Sequence, residues 1–244
     1  MLRLLTLNLN QYGDKHGAWT ARKPLIEQAL ANVSPDIVAF QAVRGEAGIA
    51  HGEDQAYQLC APTYPYITFM PTIERGSVRE GLALAARLPV AEVRQVPLAF
   101  VPNVEDSSPR ALLLARIDAA RPLYLVNAHF SWVPTYCRRN AQEAALFLQA
   151  LPGPAVMVGD LNARPDSEAA AILRAAGLVD AWAALHPDDP GFTFEADAPS
   201  QRIDYAWLNT AAAGTLTEIE QVSAPPGAGV RLSDHLGLAV TLSP

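Results

Sequence analysis

Carboxylates, amides and imidazoles stand beside apolar, strand-like runs in this sequence. Asp160 and Asn162 follow the run Ala-Val-Met-Val-Gly, and the pair Asp234-His235 precedes the last apolar run. Asp204 lies between them, in Arg-Ile-Asp-Tyr. Carboxylate and amide oxygens suit a hard cation, and imidazole accepts a proton readily near pH 7. Each motif alone is weak, since an Asp after Val-Gly is equally typical of a helix cap, but together they indicate an active site.

Three further polar motifs stand at the ends of apolar runs, in the first half of the chain or near its middle. They are Asn8-Leu9-Asn10, Gln41-Ala42-Val43-Arg44 and Asn127-Ala128-His129. An α/β scaffold usually carries its active groups at strand ends and on the loops that follow them. We therefore expect Asn8 and His129 to line one cleft with the residues named above, which are Asp160, Asn162, Asp204, Asp234 and His235.

The elements that must position these groups alternate between strand and helix along the chain. Helical periodicity covers residues 22–32, 137–150 and 167–176, and Gly177 is suited to end the third helix. Residues 97–109 and 186–202, rich in Pro, Asp and Ser, are predicted long loops, which are more often functional than idle. Because no linker separates two regions, we predict a single domain over residues 1–244. Strands are predicted at residues 3–10, 37–41, 66–70, 81–87, 91–96, 111–117, 123–130, 155–161, 203–208, 216–222 and 236–242.

The composition describes an acidic globular chain. Its 244 residues are 50% hydrophobic and 18% charged, which suits one large α/β domain and excludes disorder of the whole chain. The net charge is −7, with 12 basic and 12 acidic residues in 1–122 and 6 and 13 in 123–244. Such a chain lacks the basic surface of a protein that coats nucleic acid non-specifically. The acidic second half suits either a bound hard cation or a soluble surface.

Cysteine usage and apolar segments predict the compartment. Cys60 and Cys137 are in neither a CxxC nor a Cys/His cluster, so we expect two buried thiols rather than a disulfide framework. The N-terminal apolar run contains Arg3 and has no small-residue cleavage site, which argues against a signal peptide. Other apolar stretches are interrupted before about 18 residues, too short to span a membrane. We expect a cytoplasmic monomer with no membrane span.

The order of these motifs resembles the endonuclease/exonuclease/phosphatase family of metal-dependent phosphohydrolases, which includes the DNase I-like nucleases. The resemblance runs from Leu4 to Leu242, and its most specific elements are Gly-Asp-Leu-Asn and Ser-Asp-His with Arg-Ile-Asp-Tyr between them. It implies an α/β fold, a four-layer α/β/β/α sandwich with two facing mixed β-sheets. The site is then expected where the strand ends of both sheets meet.

The resemblance also implies the metal site and the general base. Asn8 and Asp234 are implied as ligands of Mg²⁺ or Mn²⁺, the first through a neutral oxygen and the second through a carboxylate. His235 is implied as the general base that activates water, with Asp204 orienting its ring. A turn-capping role for Asp234 stays open as the alternative.

Four further residues are implied to act around the phosphate. In the family, the residues matching Asp160 and Asn162 hold the attacking water and a phosphate oxygen, and on an extended segment two such residues face one side. His129 is implied to donate to the phosphate or the leaving group, with a buried core histidine as the alternative. Glu80 matches a glutamate that pairs with this histidine in DNase I-like members, although Arg79-Glu80 is also typical of a solvated strand start.

One position departs from the family's pattern. After the second strand the family has Gln-Glu, whose Glu is the principal carboxylate ligand of the metal, whereas this chain has Gln41-Ala42. A methyl group cannot coordinate a cation, and Glu46, about 13 Å farther along an extended chain, would need a tight turn to replace it. We predict that the Ala42 methyl points into the cleft beside Asn8 and Asp234. A natural weak-metal variant, a natural pseudoenzyme and an engineered Glu→Ala change are the three interpretations, and the otherwise intact motifs favour the first or third.

The implied activity is Mg²⁺- or Mn²⁺-dependent hydrolysis of a phosphate ester, by a phosphodiesterase or nuclease acting on a small or single-stranded substrate such as DNA or RNA. One alternative is a catalytically silent module of the same fold that binds phosphate or nucleic acid. Another is a different substrate, a phosphomonoester or an inositol-phosphate or lipid head group. Two loops hold aromatic and cationic residues that either stack a base and grip a phosphate or pack as core: Tyr12, His16, Trp19, Trp132, Tyr136, Arg138 and Arg139.

Overall fold

Two six-stranded β-sheets face each other in this protein. The computed structural model describes residues 1–100 and 105–243. One sheet has the strand order β11-β12-β1-β2-β4-β3 and the other the order β5-β6-β7-β8-β10-β9. In chain order the strands are β1 (Leu2–Asn8), β2 (Ile37–Glu46), β3 (Tyr66–Arg75), β4 (Val78–Ala86), β5 (Val90–Pro97), β6 (Ala111–Ile117), β7 (Leu123–His129), β8 (Ala155–Asp160), β9 (Val179–Asp180), β10 (Asp204–Leu208), β11 (Leu216–Val222) and β12 (Gly237–Leu242).

The helices connect strands or cap strand ends. In the described residues the α-helices are α1 (Trp19–Val33), α2 (Gln55–Cys60), α3 (Pro134–Gln149), α4 (Glu168–Ala175), α5 (Ala181–Leu185) and α6 (Thr210–Ala213), and a 3-10 helix covers Ala50–Gly52. Both sheets are mixed, since β1 pairs with β2 and β7 with β8 in parallel while their other pairs are antiparallel. Parallel neighbours need a crossover, and α1 and α3 supply the two crossovers. Every helix in the described part of the chain is too short or too polar to cross a bilayer.

The core has three parts that correspond to the layers. Along β2, Ile37 faces the core between the two sheets, and Val38 faces an outer core that it shares with Ile26 of α1. This alternation is the two-residue period of a strand buried on both faces. On the other side of the molecule, Leu148 of α3 packs with Trp207 of β10. The predicted four-layer α/β/β/α sandwich with two mixed sheets is confirmed.

Each predicted strand has a counterpart, the two-residue strand β9 was not predicted, and the other differences lie in the ends of strands and helices and in short helices. β2 and β3 each run five residues beyond their predicted ends, because both continue past a bulge in their pairing with β4. The helices α2, α5 and α6 were missed because each has six residues or fewer, fewer than two turns, so an apolar pattern with the helical period does not repeat. Side-chain caps start all three, from Asp54, Asp180 and Asn209. Gly177, with φ of 81°, ends α4 as predicted, and residues 101–104 of the predicted loop 97–109 lie outside the described residues.

Two buried amide side chains join the sheets near the strand ends. Asn127 of β7 donates from Nδ2 to the carbonyl oxygens of Phe40 (2.9 Å) and Ala83 (2.9 Å) in the opposite sheet. Gln41 of β2 donates from Nε2 to Asn127 Oδ1 (2.7 Å) and to Thr6 Oγ1 (2.9 Å). Both amides are fully buried, so the bonds of Asn127 to Phe40, Ala83 and Gln41 hold the two sheets together without competition from water.

We expect Asn127→Ala to destabilise the protein by about 3 kcal/mol, since it removes a hydrogen-bond partner from several buried polar groups. The groups that lose a partner are the Phe40 and Ala83 carbonyls and one amide hydrogen of Gln41. Urea unfolding measures the change. Asn32→Ala, on the exposed face of α1, is the matched control and should stay within about 0.5 kcal/mol of the parent. Equal stability of the two variants would contradict a structural role for the inter-sheet amides.

Candidate active site

Polar residues from both sheets meet at one end of the sandwich. Asn8 ends β1, while His129 and Asp160 end the parallel strands β7 and β8. Asp204 begins β10 and is paired directly with Asp160 in the antiparallel register. His235 lies two residues before β12, in the loop that joins β11 to β12 within the first sheet. The strand ends therefore bring together residues that are as many as 227 positions apart in the chain.

Asp160 is at the centre of this arrangement. Its side chain is buried, and Oδ1 accepts a hydrogen bond from the backbone N–H of Asn162 (2.8 Å). Its other oxygen, Oδ2, accepts from Asn8 Nδ2 (2.9 Å) and lies 3.4 Å from His129 Nε2. A single carboxylate thus contacts groups from both sheets, and its position depends on both.

His235 is held by carboxylates on several sides. Its Nδ1 lies 2.9 Å from Asp204 Oδ2, while Nε2 lies 3.7 Å from Asp160 Oδ2 and 3.9 Å from Asp234 Oδ1. Burial alone would lower the pKa of His235, but the carboxylates of Asp204, Asp160 and Asp234 outweigh it and raise this pKa to about 10. In the metal-free chain His235 is therefore charged at neutral pH, whereas a general base must be neutral.

NMR spectra of the metal-free chain are expected to show the His235 ring titrating near pH 10. Asp204→Asn should lower this pKa toward the ordinary value of 6.5, because Asp204 is the strongest of the groups that raise it. The folded-state pKa lies above the unfolded one, so the stabilisation is complete below about pH 6.5 and is lost as the pH rises toward about 10. Urea unfolding of the metal-free protein across this range measures that loss.

The control for this titration is Asp118→Asn, which removes an exposed carboxylate outside the site. It should leave the His235 titration unchanged. A parent chain whose His235 ring titrates near its ordinary value would contradict the electrostatic account of the site.

His129 has the opposite behaviour. Burial, and then the charge of Arg110, lower the pKa of His129 to about 4, although Asp160 acts against the shift. The ring is therefore neutral at physiological pH and carries one N–H. His129 is suited to donate a hydrogen bond, and it does not bring positive charge to the site.

Asn162 reaches the site by a different geometry from the extended segment expected. β8 ends at Asp160, and Asn162 has a left-handed φ of 48°. Its backbone N–H still binds Asp160 Oδ1, and its Nδ2 donates to the carbonyl oxygen of Phe130 (3.0 Å). A turn with hydrogen bonds therefore holds Asn162 beside Asp160. The alternation of side chains along a strand, which we expected, does not place it there.

Glu80 has partners other than the histidine expected from the resemblance. Its Oε1 lies 3.3 Å from Arg44 Nη1, and Oε2 accepts from Gln11 Nε2 (3.1 Å). Glu80 and His129 line the same pocket, but the hydrogen bonds and ion pairs seen in residues 1–100 and 105–243 do not join them. The carboxylate is held in place by Arg44 and Gln11.

Ala42 lies at the bulge of β2, with a left-handed φ of 48°. It lines a pocket of about 150 Å³ together with Glu80, Arg110 and His129. Open space thus adjoins the position where the resemblance expects a glutamate. Glu46 does not occupy it, because its carboxylate binds Arg44 Nε (3.0 Å) and Nη2 (2.8 Å).

The donor groups of this site fit a divalent cation. Asp160, Asp204 and His235 form the group of potential metal ligands in the described residues, with ligand atoms within 4.8 Å of one another. Asp234, whose Oδ1 accepts from Ser233 Oγ (2.9 Å), adds a third carboxylate beside His235. These carboxylates outnumber the charged imidazole, and hard oxygens are the ligands that Mg²⁺ and Mn²⁺ prefer. The set fits such an ion.

Comparison with known proteins identifies the family. Residues 5–235 match the sequence profile of the Endonuclease/Exonuclease/phosphatase family. The chain belongs to this family. No curated protein sequence matches it significantly.

Solved structures share the family fold at low sequence identity. An endonuclease/exonuclease/phosphatase family protein from Leptotrichia buccalis C-1013-b is 18% identical, with a TM-score of 0.78 and 100% of both chains covered. D. rerio TDP2 complexed with a single-strand DNA product is 20% identical, with a TM-score of 0.75 and coverage of 100% of this chain and 99% of that one. The mannosyl-6-phosphatase of Bacteroides thetaiotaomicron VPI-5482 is 15% identical, with a TM-score of 0.73 and 100% of both chains covered. These likenesses show the DNase I-like fold.

Two residues that support the candidate site were not predicted from the sequence. Thr193 Oγ1 accepts hydrogen bonds from the backbone N–H groups of Ile203 (3.3 Å) and Asp204 (3.2 Å). The Phe194 ring lies 4.9 Å from the His235 ring and packs against it. Both belong to the predicted loop 186–202, whose length suggested function, but nothing in its composition singles out these two positions.

The aromatic and cationic residues that follow β1 and β7 differ in exposure, and some are buried while others lie at the surface. Trp19 and His16 are 8% and 6% exposed and pack as core. Trp132, three residues after His129, is 54% exposed and is available to a ligand. Arg138 and Arg139 lie near acidic side chains, Glu168 at 3.7 Å and Glu143 at 3.3 Å.

Proposed function

We propose that this chain is a Mg²⁺- or Mn²⁺-dependent phosphoric-ester hydrolase that cleaves a phosphodiester in a small or single-stranded substrate. Membership of the family makes hydrolysis of a phosphoric ester the expected reaction class. The observation that carries the proposal is the buried Asp160 carboxylate, which contacts groups from both sheets beside the Asp204–His235 pair. Hydrolysis of a phosphate ester needs groups that transfer protons and groups that stabilise the transition state. This site offers a carboxylate, an imidazole bound to a carboxylate, and a neutral imidazole.

Asn8 and Asp234 would hold the cation, whose charge would neutralise the phosphate and polarise its oxygens. Asp160 lies next to both candidates for proton transfer, His235 and His129. It would orient the attacking water with its carboxylate. Asn162 uses one hydrogen of its side-chain amide for the Phe130 carbonyl, which leaves the other free to bind a phosphate oxygen.

The two histidines would perform different steps. Asp204 occupies Nδ1 of His235, so Nε2 is the atom that would accept the proton of the attacking water. This step needs the neutral ring of His235. Asp160 and Asp234 raise the pKa of this ring, so positive charge placed beside the two carboxylates would lower it. His129, neutral because its pKa is lowered to about 4, would donate its N–H to a phosphate oxygen or to the leaving oxygen.

A nucleic-acid substrate is supported by the exposed Trp132. An exposed aromatic ring close to a hydrolytic site provides a stacking surface for one base, a contact worth roughly 1–3 kcal/mol. The structural neighbour TDP2, which was solved with a single-strand DNA product, has the same fold. The net charge of −7 favours a short single strand over a long duplex, because a duplex is bound by extended basic surfaces.

A phosphomonoester of a hydroxylated ring is the second candidate, and the pocket beside Ala42 favours it. Its described lining residues include no Phe, Tyr or Trp, and its polar side chains are Gln11, Thr72, Glu80, Ser108, Arg110 and His129. A cavity of about 150 Å³ holds a six-membered ring, so a sugar or an inositol would fit in size and in hydrogen bonding. The neighbour named mannosyl-6-phosphatase shares the fold.

A substrate screen separates these candidates from a silent binding module. The parent chain and an Ala42→Glu variant are each incubated with Mn²⁺ and with generic phosphodiesters, short oligonucleotides, and sugar or inositol monophosphates. Turnover of the first two groups supports the main proposal, and turnover of the third alone supports the second candidate. Binding of these compounds without any hydrolysis, even with a carboxylate at position 42, would show a binding module instead.

A further inference from the structure

A buried guanidinium connects two loops at the active-site end of the first sheet. Arg22, in the first turn of α1, is 1% exposed. Its Nη1 donates to the carbonyl oxygens of Leu9 (2.8 Å) and Leu232 (3.0 Å), and its Nη2 donates to that of Gln11 (2.7 Å). One loop follows β1 and the other precedes β12, so a single side chain holds two segments from opposite ends of the chain.

These two segments carry the proposed cation ligands. Leu9 directly follows Asn8, and Leu232 lies two residues before Asp234. A carbonyl bonded to Arg22 is thus one or two residues from each ligand, and any shift of the loop moves the ligand with it. Partners that orient a metal ligand directly are worth about 10–100-fold in binding, and Arg22 would orient the two ligands through the backbone beside them.

The chemistry of Arg22 also fits this role better than simple space filling. Burial lowers its pKa and the charge of Asp234 raises it, and a guanidinium remains protonated at physiological pH. A buried charge costs free energy that an apolar side chain would not. What the guanidinium provides is a planar fork of donors, which can bind carbonyls from two segments at a fixed separation. The ring of Trp19, 5.5 Å away, covers it.

We propose that Arg22 is a positioning residue that fixes the separation of Asn8 and Asp234 and thereby sets the affinity of the site for its cation. The inference rests on the proposed function, because that function makes Asn8 and Asp234 the ligands. Arg22 itself touches neither substrate nor cation. It acts through the backbone of the two loops.

The test compares Arg22→Lys and Arg22→Met with the parent chain, each with and without Ala42→Glu. Calorimetric titration with Mn²⁺ should show affinity lowered about 10–100-fold by Arg22→Met, and lowered less by Arg22→Lys, which keeps the charge but loses the fork. Where hydrolysis is measurable, the Mn²⁺ concentration for half-maximal rate should rise, while the substrate KM at saturating Mn²⁺ stays unchanged. Hydrogen exchange should accelerate at residues 9–11 and 232–234 beyond the change elsewhere.

Leu173→Ala is the control, because it removes core packing in α4 away from these loops and lowers stability without touching the proposed ligands. If Arg22→Met weakens Mn²⁺ binding no more than Leu173→Ala and leaves exchange in the two loops at the level of the rest of the chain, Arg22 is merely structural and the proposal is overturned. If even the chain with Ala42→Glu binds no Mn²⁺, the proposed function fails in its metal requirement and this proposal falls with it, whatever hydrogen exchange shows. Failure of the Arg22 proposal alone leaves Mn²⁺ binding by the parent intact.

Discussion

Replacing Ala42 with glutamate is expected to raise both cation affinity and turnover by two orders of magnitude or more, equivalent to about 3 kcal/mol in the barrier at 1.36 kcal/mol per decade. Mg²⁺ is commonly held by only one or two carboxylates and keeps several waters, so one missing carboxylate removes much of its binding. The pocket beside Ala42 has room for the longer side chain. The left-handed φ of Ala42 strains alanine as it does glutamate, so the replacement adds little backbone cost.

Calorimetry with Mg²⁺ and Mn²⁺, and hydrolysis rates at several concentrations of each ion, measure this gain. The parent should be nearly inactive at millimolar Mg²⁺ and partly rescued by Mn²⁺, which binds such ligands somewhat more tightly. Ala42→Gln is the matched control, since it has the shape of glutamate without the charge and should recover only a small part of the effect. Equal cation affinity in the parent and in Ala42→Glu would mean that another group already supplies the missing ligand.

Asp160→Asn is expected to abolish nearly all hydrolysis, with kcat/KM lowered about 10³-fold or more in the Ala42→Glu background. The substitution keeps an oxygen for the Asn8 amide but removes the charge that orients water and faces both histidines. Loss of a positioned group in proton transfer costs about 10²–10⁴-fold, and the neighbouring cation would lose a carboxylate in addition. Stopped-time assays on the best substrate of the screen measure the ratio.

The matched control is Asp166→Asn, which changes an exposed carboxylate six residues farther along, in the loop after β8. Its kcat/KM should be within a factor of about two of the parent, because surface changes away from a site have small effects. Asp160→Asn must also be shown to unfold at a urea concentration close to that of its parent. A folded Asp160→Asn variant that retained a tenth of the activity would refute the central role given to this carboxylate.

Long apolar segments made the architecture predictable from the sequence. Runs such as Leu123–His129 and Ala155–Asp160 are buried on both faces, so their length and composition identify strands without any partner. The short α2 depends on the cap from Asp54 and on packing against β2 and β3, which a local pattern does not contain. Strand extensions such as residues 42–46 were missed because half-buried residues beyond the bulge, Arg44 and Glu46 among them, interrupt the apolar pattern.

The sequence predicted which residues lie together in the candidate site better than it predicted their charge states. Motifs at strand ends identify Asp160, Asp204 and His235, since strand ends are where such folds carry polar groups. The charge state of His235 depends on carboxylates contributed by three separate elements, and no sequence spacing reveals their distances. The partners of Glu80 were unpredictable for the same reason. Arg44 lies opposite Glu80 on β2, just past the bulge, and Gln11 lies in the loop after β1.

The site is shared between the two sheets, and this has a thermodynamic consequence. Asn8 belongs to one sheet and Asp160 to the other, so a ligand that touches both can bind only when the sheets are packed together. Binding and unfolding are then linked, and a ligand at one hundred times its Kd adds about 2.7 kcal/mol to the free energy of unfolding. The melting temperature of the chain should therefore rise with the concentration of any true ligand. Thermal denaturation of the protein with a panel of cations and phosphate esters becomes a search for its physiological ligand that requires no turnover.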